Sequence, residues 1–308
     1  MDVSLRQLRM LREVAARGTI AAAADALSYT PSALSQQLGA LERSTGVAVL
    51  ERVGRNVRLT DAGRELVGHV GEIFDRLERA EVALHATSTE VRGRLQVGMF
   101  ESIIGPIVAP MLAAARDRHP DLELWTRQAD PDAALDQLAS GELDLAFILD
   151  YPHAPGARPE GSDRTTLFVD QFYVGVAEDD PLGPGPVRIE QLAERDFVGS
   201  PSDLNCGRCV IQACRAAGFE ARVRRQVDAY PSALKLVAAG AGVALFPSMG
   251  LTEPPAGVRV LALVEPVERT VEAAHRSARA GRPALEATLT LAGEQVERWR
   301  NGRLARAG

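Results

Sequence analysis

Residues 19–44, TIAAAADALSYTPSALSQQLGALERS, decide how the first part of the chain folds. Thr19 caps an alanine-rich helix of about 20–27. Ser28, Tyr29 and Thr30 make a short turn. Thr30 caps a further helix with Pro31 at its first position, where the missing amide costs nothing. On that helix Leu34, Leu38 and Leu41 lie within about 60° of one another and form a buried face. Ser32, Ser35, Gln36, Gly39 and Arg43 lie opposite. This exposed face is small and polar at its N-terminal end, as a helix entering the major groove of DNA requires. Glutamine pairs bidentately with adenine, and serine donates or accepts. By itself, the same face also describes an ordinary solvated helix.

The flanks favour the DNA reading. Upstream, residues 5–17 form a helix with Leu5, Leu8, Leu11 and Ala15 on one face, stopped by Gly18. Downstream, Gly46 ends the third helix, and VAVLERVGRNVRLT (47–60) reads as a β-hairpin. Arg52, Arg55 and Arg58 sit where such a wing meets phosphates or the minor groove, although each alone is equally a solvated charge. Residues 1–60 are therefore expected to be a winged helix-turn-helix that touches double-stranded DNA through Thr30, Pro31, Ser32, Ser35, Gln36, Arg43, Arg52, Arg55 and Arg58. Their eight arginines against five acids leave nine net negative charges on the rest of a chain whose formal charge is −6. A basic head on an acidic body fits one DNA-binding end.

Thr60 caps a long helix of about 61–88. Its apolar residues Leu66, Val70, Ile73, Leu77, Ala80 and Leu84 alternate steps of four and three, the coiled-coil period. Two uses fit: a seam joining a second copy, or a face packed on its own domain. We assign 61–90 as a linker and dimerisation helix. From Gly93 the texture changes to strand, helix, strand, helix, strand, then to a second such set from about residue 166. The expectation is an α/β effector domain over 91–301 with a mostly parallel sheet. Its first lobe comprises about 91–165 and 268–301, and its second about 166–267. The loop 151–162 is expected to be mobile.

The run LRQLRMLREVAARGTIAAAADALSYTPSALSQQLGALERSTGVAVLERVGRNVRLTDAGRELV (5–67) resembles the N-terminal signature of LysR-type transcriptional regulators. GRLQVGMFES (93–102), DLELWTRQADPDAALDQLASGELDLAFI (121–148) and VAAGAGVALFP (237–247) are similar to that family's effector domain. The resemblance implies a two-lobed domain like the periplasmic binding proteins, with a small-molecule effector between the lobes. It also implies homodimers or homotetramers on interrupted inverted repeats, with RNA polymerase as a further partner.

Strand-to-helix junctions offer free backbone amides and the positive end of a helix dipole to a polar ligand. Phe100, Glu101, Ser102 and Ile103 form one such junction; Ser200, Pro201, Ser202 and Asn205 form another. By family analogy Ser102 and Ser200 face the cleft, and Gln128, Ile148, Tyr230 and Phe246 line it. Glu101 departs from the small neutral residue often found there. Its carboxylate would compete with an anionic ligand, unless it points to solvent or pairs with an arginine.

Cys206, Cys209 and Cys214 have C-x₂-C-x₄-C spacing, which raises a thiol-redox or metal switch as the alternative. No histidine lies between 154 and 274 to complete a metal site, so packing is the simpler role. We expect no cofactor, no metal and no catalytic residue. No Gly-rich phosphate loop, G-x-S-x-G or H-E-x-x-H motif supports an enzyme. No apolar run approaches the roughly 18 residues of a membrane span, and the N-terminus does not read as a signal peptide, so a cytoplasmic location is expected. A small-molecule-binding protein without a regulatory role is a more remote alternative.

Overall fold

The computed structural model describes residues 2–53, 56–85, 90–152, 161–250 and 253–307, and the chain divides into two compact units, Met1–Thr87 and Ser88–Gly308. In the first unit α1 (Leu5–Arg17), α2 (Ile20–Ala26) and α3 (Pro31–Thr45) precede a hairpin of β1 (Leu50–Val53) and β2 (Asn56–Leu59), then α4 (Asp61–His85). Residues 86–88, expected at the end of α4, lie outside the described residues. Thr19 and Thr30 accept from the amides of Ala22 and Ala33 as N-caps. Ser28, between α2 and α3, takes φ 56°, a left-handed conformation that short polar side chains tolerate. Leu8, Met10, Leu11, Val14, Leu34, Leu38, Leu41, Val49, Val70 and Phe74 form one core. Leu5, placed on one face of α1 with Leu8 and Leu11, is exposed at the first residue of that helix.

The first turn of α4 runs close beneath β1. A Cβ on Gly63 would lie 2.1 Å from the Val49 carbonyl oxygen, so only glycine permits this approach. Farther along, the apolar stripe of α4 divides. Val70 and Phe74 are buried in the head's own core with Leu66 partly covered, whereas Ile73, Leu77, Ala80 and Leu84 are exposed. Val70 therefore belongs to the core of the head instead of a seam.

The second unit begins with β3 (Gly93–Met99), α5 (Glu101–Ile103), a π-turn (Ile104–Val108), α6 (Ala109–Arg118), β4 (Leu122–Gln128), α7 (Pro131–Ser140) and β5 (Leu145–Asp150). Pro106 and Pro110 remove two amides from the helical ladder where the π-turn forms. Then follow β6 (Ser162–Ala177), β7 (Asp196–Gly199), α8 (Asn205–Ala216), β8 (Arg222–Gln226), α9 (Tyr230–Ala238), β9 (Ala244–Pro247), β10 (Val258–Ala262), β11 (Glu268–Arg276) and α10 (Pro283–Ala307). The main sheet runs β10-β6-β11-β5-β3-β4, with β9 also on β6. Within loop 151–162, residues 153–160 lie outside the described residues.

The expectation of a mostly parallel sheet is corrected. The pairs β3–β4 and β3–β5 are parallel, but β6 pairs antiparallel with β9, β10 and β11, and β11 pairs antiparallel with β5. Topology supplies the reason. The 16-residue β6 serves both lobes: its first part pairs with β11, and from Phe172 on it pairs with β9 and β10. The chain returns past the same point, where the Phe172 amide donates to the Val267 carbonyl at 2.8 Å. An outgoing and a returning strand side by side are necessarily antiparallel. β11 thereby rejoins the first lobe, which leaves two lobes linked by two crossings.

Candidate functional site

On α3, Leu34, Leu38 and Leu41 are buried, while Thr30, Pro31, Ser32, Ser35, Gln36 and Arg43 are all exposed. Hydrophobic burial of one face thus fixes the rotation of the helix and turns the polar residues out. Glu42 fastens the helix to the hairpin: its Oε1 accepts from the amides of Val49 and Leu50 at 2.9 and 3.1 Å. In the hairpin Val53 pairs with Asn56 and Glu51 with Arg58. Arg58 donates twice to Glu51, at 2.7 and 2.9 Å, and is partly neutralised; Arg52 is exposed, and Arg55 lies outside the described residues. Elsewhere in the head the guanidinium of Arg6 lies 4.7 Å from the ring centre of Tyr29, and that of Arg12 4.7 Å from that of Phe74. The expected contact residues that are described therefore form a polar helix face beside a hairpin.

In the second unit a cavity of about 280 Å³ opens between the lobes. From the first lobe it is lined by Phe100, Glu101, Ser102 and Gln128, and by Ala129, Asp130, Pro131 and Leu149; from the second by Leu204, Cys206, Asp228 and Tyr230. Arg269, at the crossing of the strands, completes it. Ser102 and Tyr230 line the cavity. Ser200 and Asn205 reach it only through partners: Ser200 Oγ donates to Asp228 Oδ1 at 3.1 Å, and the Asn205 amide donates to Asp130 Oδ2 at 3.0 Å. Other expectations are corrected. Ile103, Ile148 and Phe246 are wholly buried core residues, and Ser202 is exposed. In β5 successive side chains face opposite ways, so Ile148 packs beneath α7 while Leu149 faces the cavity. Pro201 lies under α8 instead of in the cavity: a Cβ on Gly207 would come 2.0 Å from the Pro201 carbonyl oxygen.

Arg269, like Asp130, Leu149 and Asp228, is a cavity residue that sequence reasoning missed. It stands opposite Asp170 in the β6–β11 ladder and is 1% exposed. Its Nε and Nη2 donate to Asp170 at 3.1 and 2.9 Å, and Nη2 also donates to Ser102 Oγ at 2.8 Å. Ser248, after β9, donates to the other oxygen of Asp170. Burial opposes the charge of Arg269, but Asp170, together with Tyr230, Tyr151 and Cys206, more than offsets it and raises the guanidinium further. A first-lobe serine and a second-lobe serine thus meet on one buried ion pair at the crossing. Asp130 likewise ties the lobes. Its Oδ1 caps α7 through the Asp132 amide at 3.1 Å, and its Oδ2 caps α8 through Asn205. Asp132 adds a bond from Asn205 Nδ2 at 3.2 Å and an ion pair with Arg208.

The three cysteines are free. Burial pushes all three thiols up, Cys214 to about 12, which keeps them protonated at neutral pH. Cys206 contacts the Tyr230 hydroxyl at the cavity wall, while Cys209 and Cys214 belong to the core. Among the described residues no group of three His, Cys, Asp or Glu side chains is placed to hold a metal, and no helix is long and apolar enough to cross a membrane.

Comparison with known proteins agrees with both units. The family described as bacterial regulatory helix-turn-helix protein, lysR family, matches residues 5–64, and the LysR substrate binding domain matches residues 88–297. The chain is 29% identical over 274 residues to the transcriptional dual regulator GltC of Bacillus subtilis, covering 87% of this chain and 89% of GltC. It is 28% identical over 248 residues to the nitrogen assimilation regulatory protein nac of Escherichia coli, covering 80% and 78%. Among solved structures, full-length OxyR from Pseudomonas aeruginosa superposes with a TM-score of 0.70 at 22% identity, covering 96% of this chain and 98% of that one. CbnR, solved with its target DNA, gives a TM-score of 0.55 at 23% identity over 96% and 100% of the chains. The chain therefore belongs to the LysR family of DNA-binding transcriptional regulators with an effector-binding domain.

Proposed function

We propose that the chain works in the cytoplasm as a homodimer or homotetramer on interrupted inverted repeats and adjusts transcription by RNA polymerase in response to a small-molecule effector. The effector occupies the cavity between the lobes, and the chain catalyses no reaction on it. The boundaries that go with this are a DNA-binding head of 1–60, a dimerising linker of 61–90 and an effector domain of 91–301. The single observation that carries the reading is the outward polar face of α3, from Thr30 to Arg43, held beside the hairpin by Glu42. Exposed Ile73, Leu77, Ala80 and Leu84 on α4 support pairing of two copies. Footprinting on the DNA upstream of the chain's own gene tests it. The expected result is two protected half-sites about 10–10.5 bp, or a multiple of that, apart. Uniform protection without half-sites would remove the inverted-repeat reading.

The thiol alternative draws on one observation, that Cys206 lines the cavity. Against it stand the raised thiols, since the thiolate is the reactive and metal-binding form.

A further inference from the structure

The charge of the cavity lining decides what class of molecule it takes. Three carboxylates line it, Glu101, Asp130 and Asp228, against one cation, Arg269. That cation is already neutralised by Asp170. Tyr230 and Cys206 stay neutral because burial pushes both up. The carboxylates differ in what occupies them. Both oxygens of Asp130 cap helices, and Asp228 accepts from Ser200. Glu101 is different: its Oε2 is buried with no hydrogen-bond partner among the described residues. Burial pushes the Glu101 carboxyl up and the charge of Asp228 adds to this, while Arg269 pulls the other way. Glu101 follows β3 in the first lobe and Asp228 follows β8 in the second. Two like charges thus face one cavity from opposite lobes, and the nearby cation is committed elsewhere. A carboxylate ligand would add to this repulsion, whereas a cation would relieve it and satisfy the orphaned oxygen.

Building on the effector-binding reading, we propose that the effector is a small organic cation, an amine or a guanidine, whose charged nitrogen bridges Glu101 and Asp228. Phe100, Leu149 and Leu204 supply apolar wall for an aliphatic body. The bridge also supplies the coupling that a regulator needs. A ligand shifts a conformational equilibrium only through contacts that differ between the states. One nitrogen touching carboxylates from both lobes makes its two contacts together only when the lobes are close.

Calorimetric titration of the full chain with agmatine and cadaverine, and with glutarate and benzoate as anionic counterparts, tests the proposal. The expected result is saturable binding of at least one amine, weakened at least tenfold by Glu101→Gln and by Asp228→Asn, with thermal melts showing both variants folded. Amine binding that both folded variants retain in full overturns the bridge. Saturable binding of a carboxylate and of neither amine overturns the cationic class and leaves the cavity as an effector site. Binding of neither class counts against both.

Discussion

Arg269 keeps a full positive charge where almost no water reaches, and Asp170 makes that tolerable. Removing one partner of a buried ion pair leaves the other uncompensated, at a cost of about 3–5 kcal/mol. Asp170→Asn should therefore lower the unfolding free energy of the effector unit by that order in a urea titration; a loss below about 1 kcal/mol contradicts the pair's structural role. Glu101 has the opposite sign. Its carboxyl is raised in the folded chain, so the folded state holds the proton more tightly than the unfolded state does. The stability this lends is present in acid and is lost as pH rises through the raised value. Glu101→Gln stays neutral throughout, so it should melt above the parent chain at pH 7, with the gap closing in acid. A gap independent of pH contradicts this. On α3, Gln36→Ala should reduce discrimination between operator and random DNA by about 1–3 kcal/mol in competition titrations. Arg52→Ala should weaken both and flatten the salt dependence, because a phosphate contact carries no sequence information.

Helix α4 buries part of its stripe in the head and exposes the rest, and substitutions should separate the core role from the proposed seam. Leu77 is exposed and Val70 is not. Leu77→Asp should dissociate the oligomer in sedimentation while the head melts normally; Val70→Asp should unfold the head itself. An unchanged sedimentation coefficient for Leu77→Asp removes the seam. The stripe was plain in the sequence because its period is regular, yet periodicity does not say which part of a face meets which neighbour. The same limit explains β5. Residues 145–149, LAFIL, are apolar on both faces, so no alternation showed that Leu149 and not Ile148 turns to the cavity. Caps and stops were legible where the chemistry is local, as at Thr30, Pro31 and Gly46 around α3. β10 was not, since VRVLA is a short run after a turn and its partner β6 is about 80 residues away.

At the scale of the whole molecule, the effector unit is two lobes held by two strand crossings, an ion pair at the crossing and the Asp130 carboxylate that caps a helix in each lobe. The contacts that cross between the lobes join residues far apart in sequence: Arg269 and Asp170 are 99 residues apart, and Asn205 and Asp130 are 75 apart. The strand-to-helix junction at 100–102 was legible from local pattern, whereas Arg269 and Asp228 enter the cavity through long-range pairing alone. Replacing Cys206, Cys209 and Cys214 with serine together should leave the effector response in place if they only pack; a response lost there but kept in Ser102→Ala and Ser200→Ala would revive the thiol switch. Whether the chain reads sequence as a dimer through the α3 face is decided by selecting bound duplexes from a random DNA library with the full chain and with Gln36→Ala. The full chain should select an interrupted inverted repeat, with the preference relaxed within each half-site for Gln36→Ala. Selection of no repeat, or the same repeat with undiminished preference by both proteins, would contradict it.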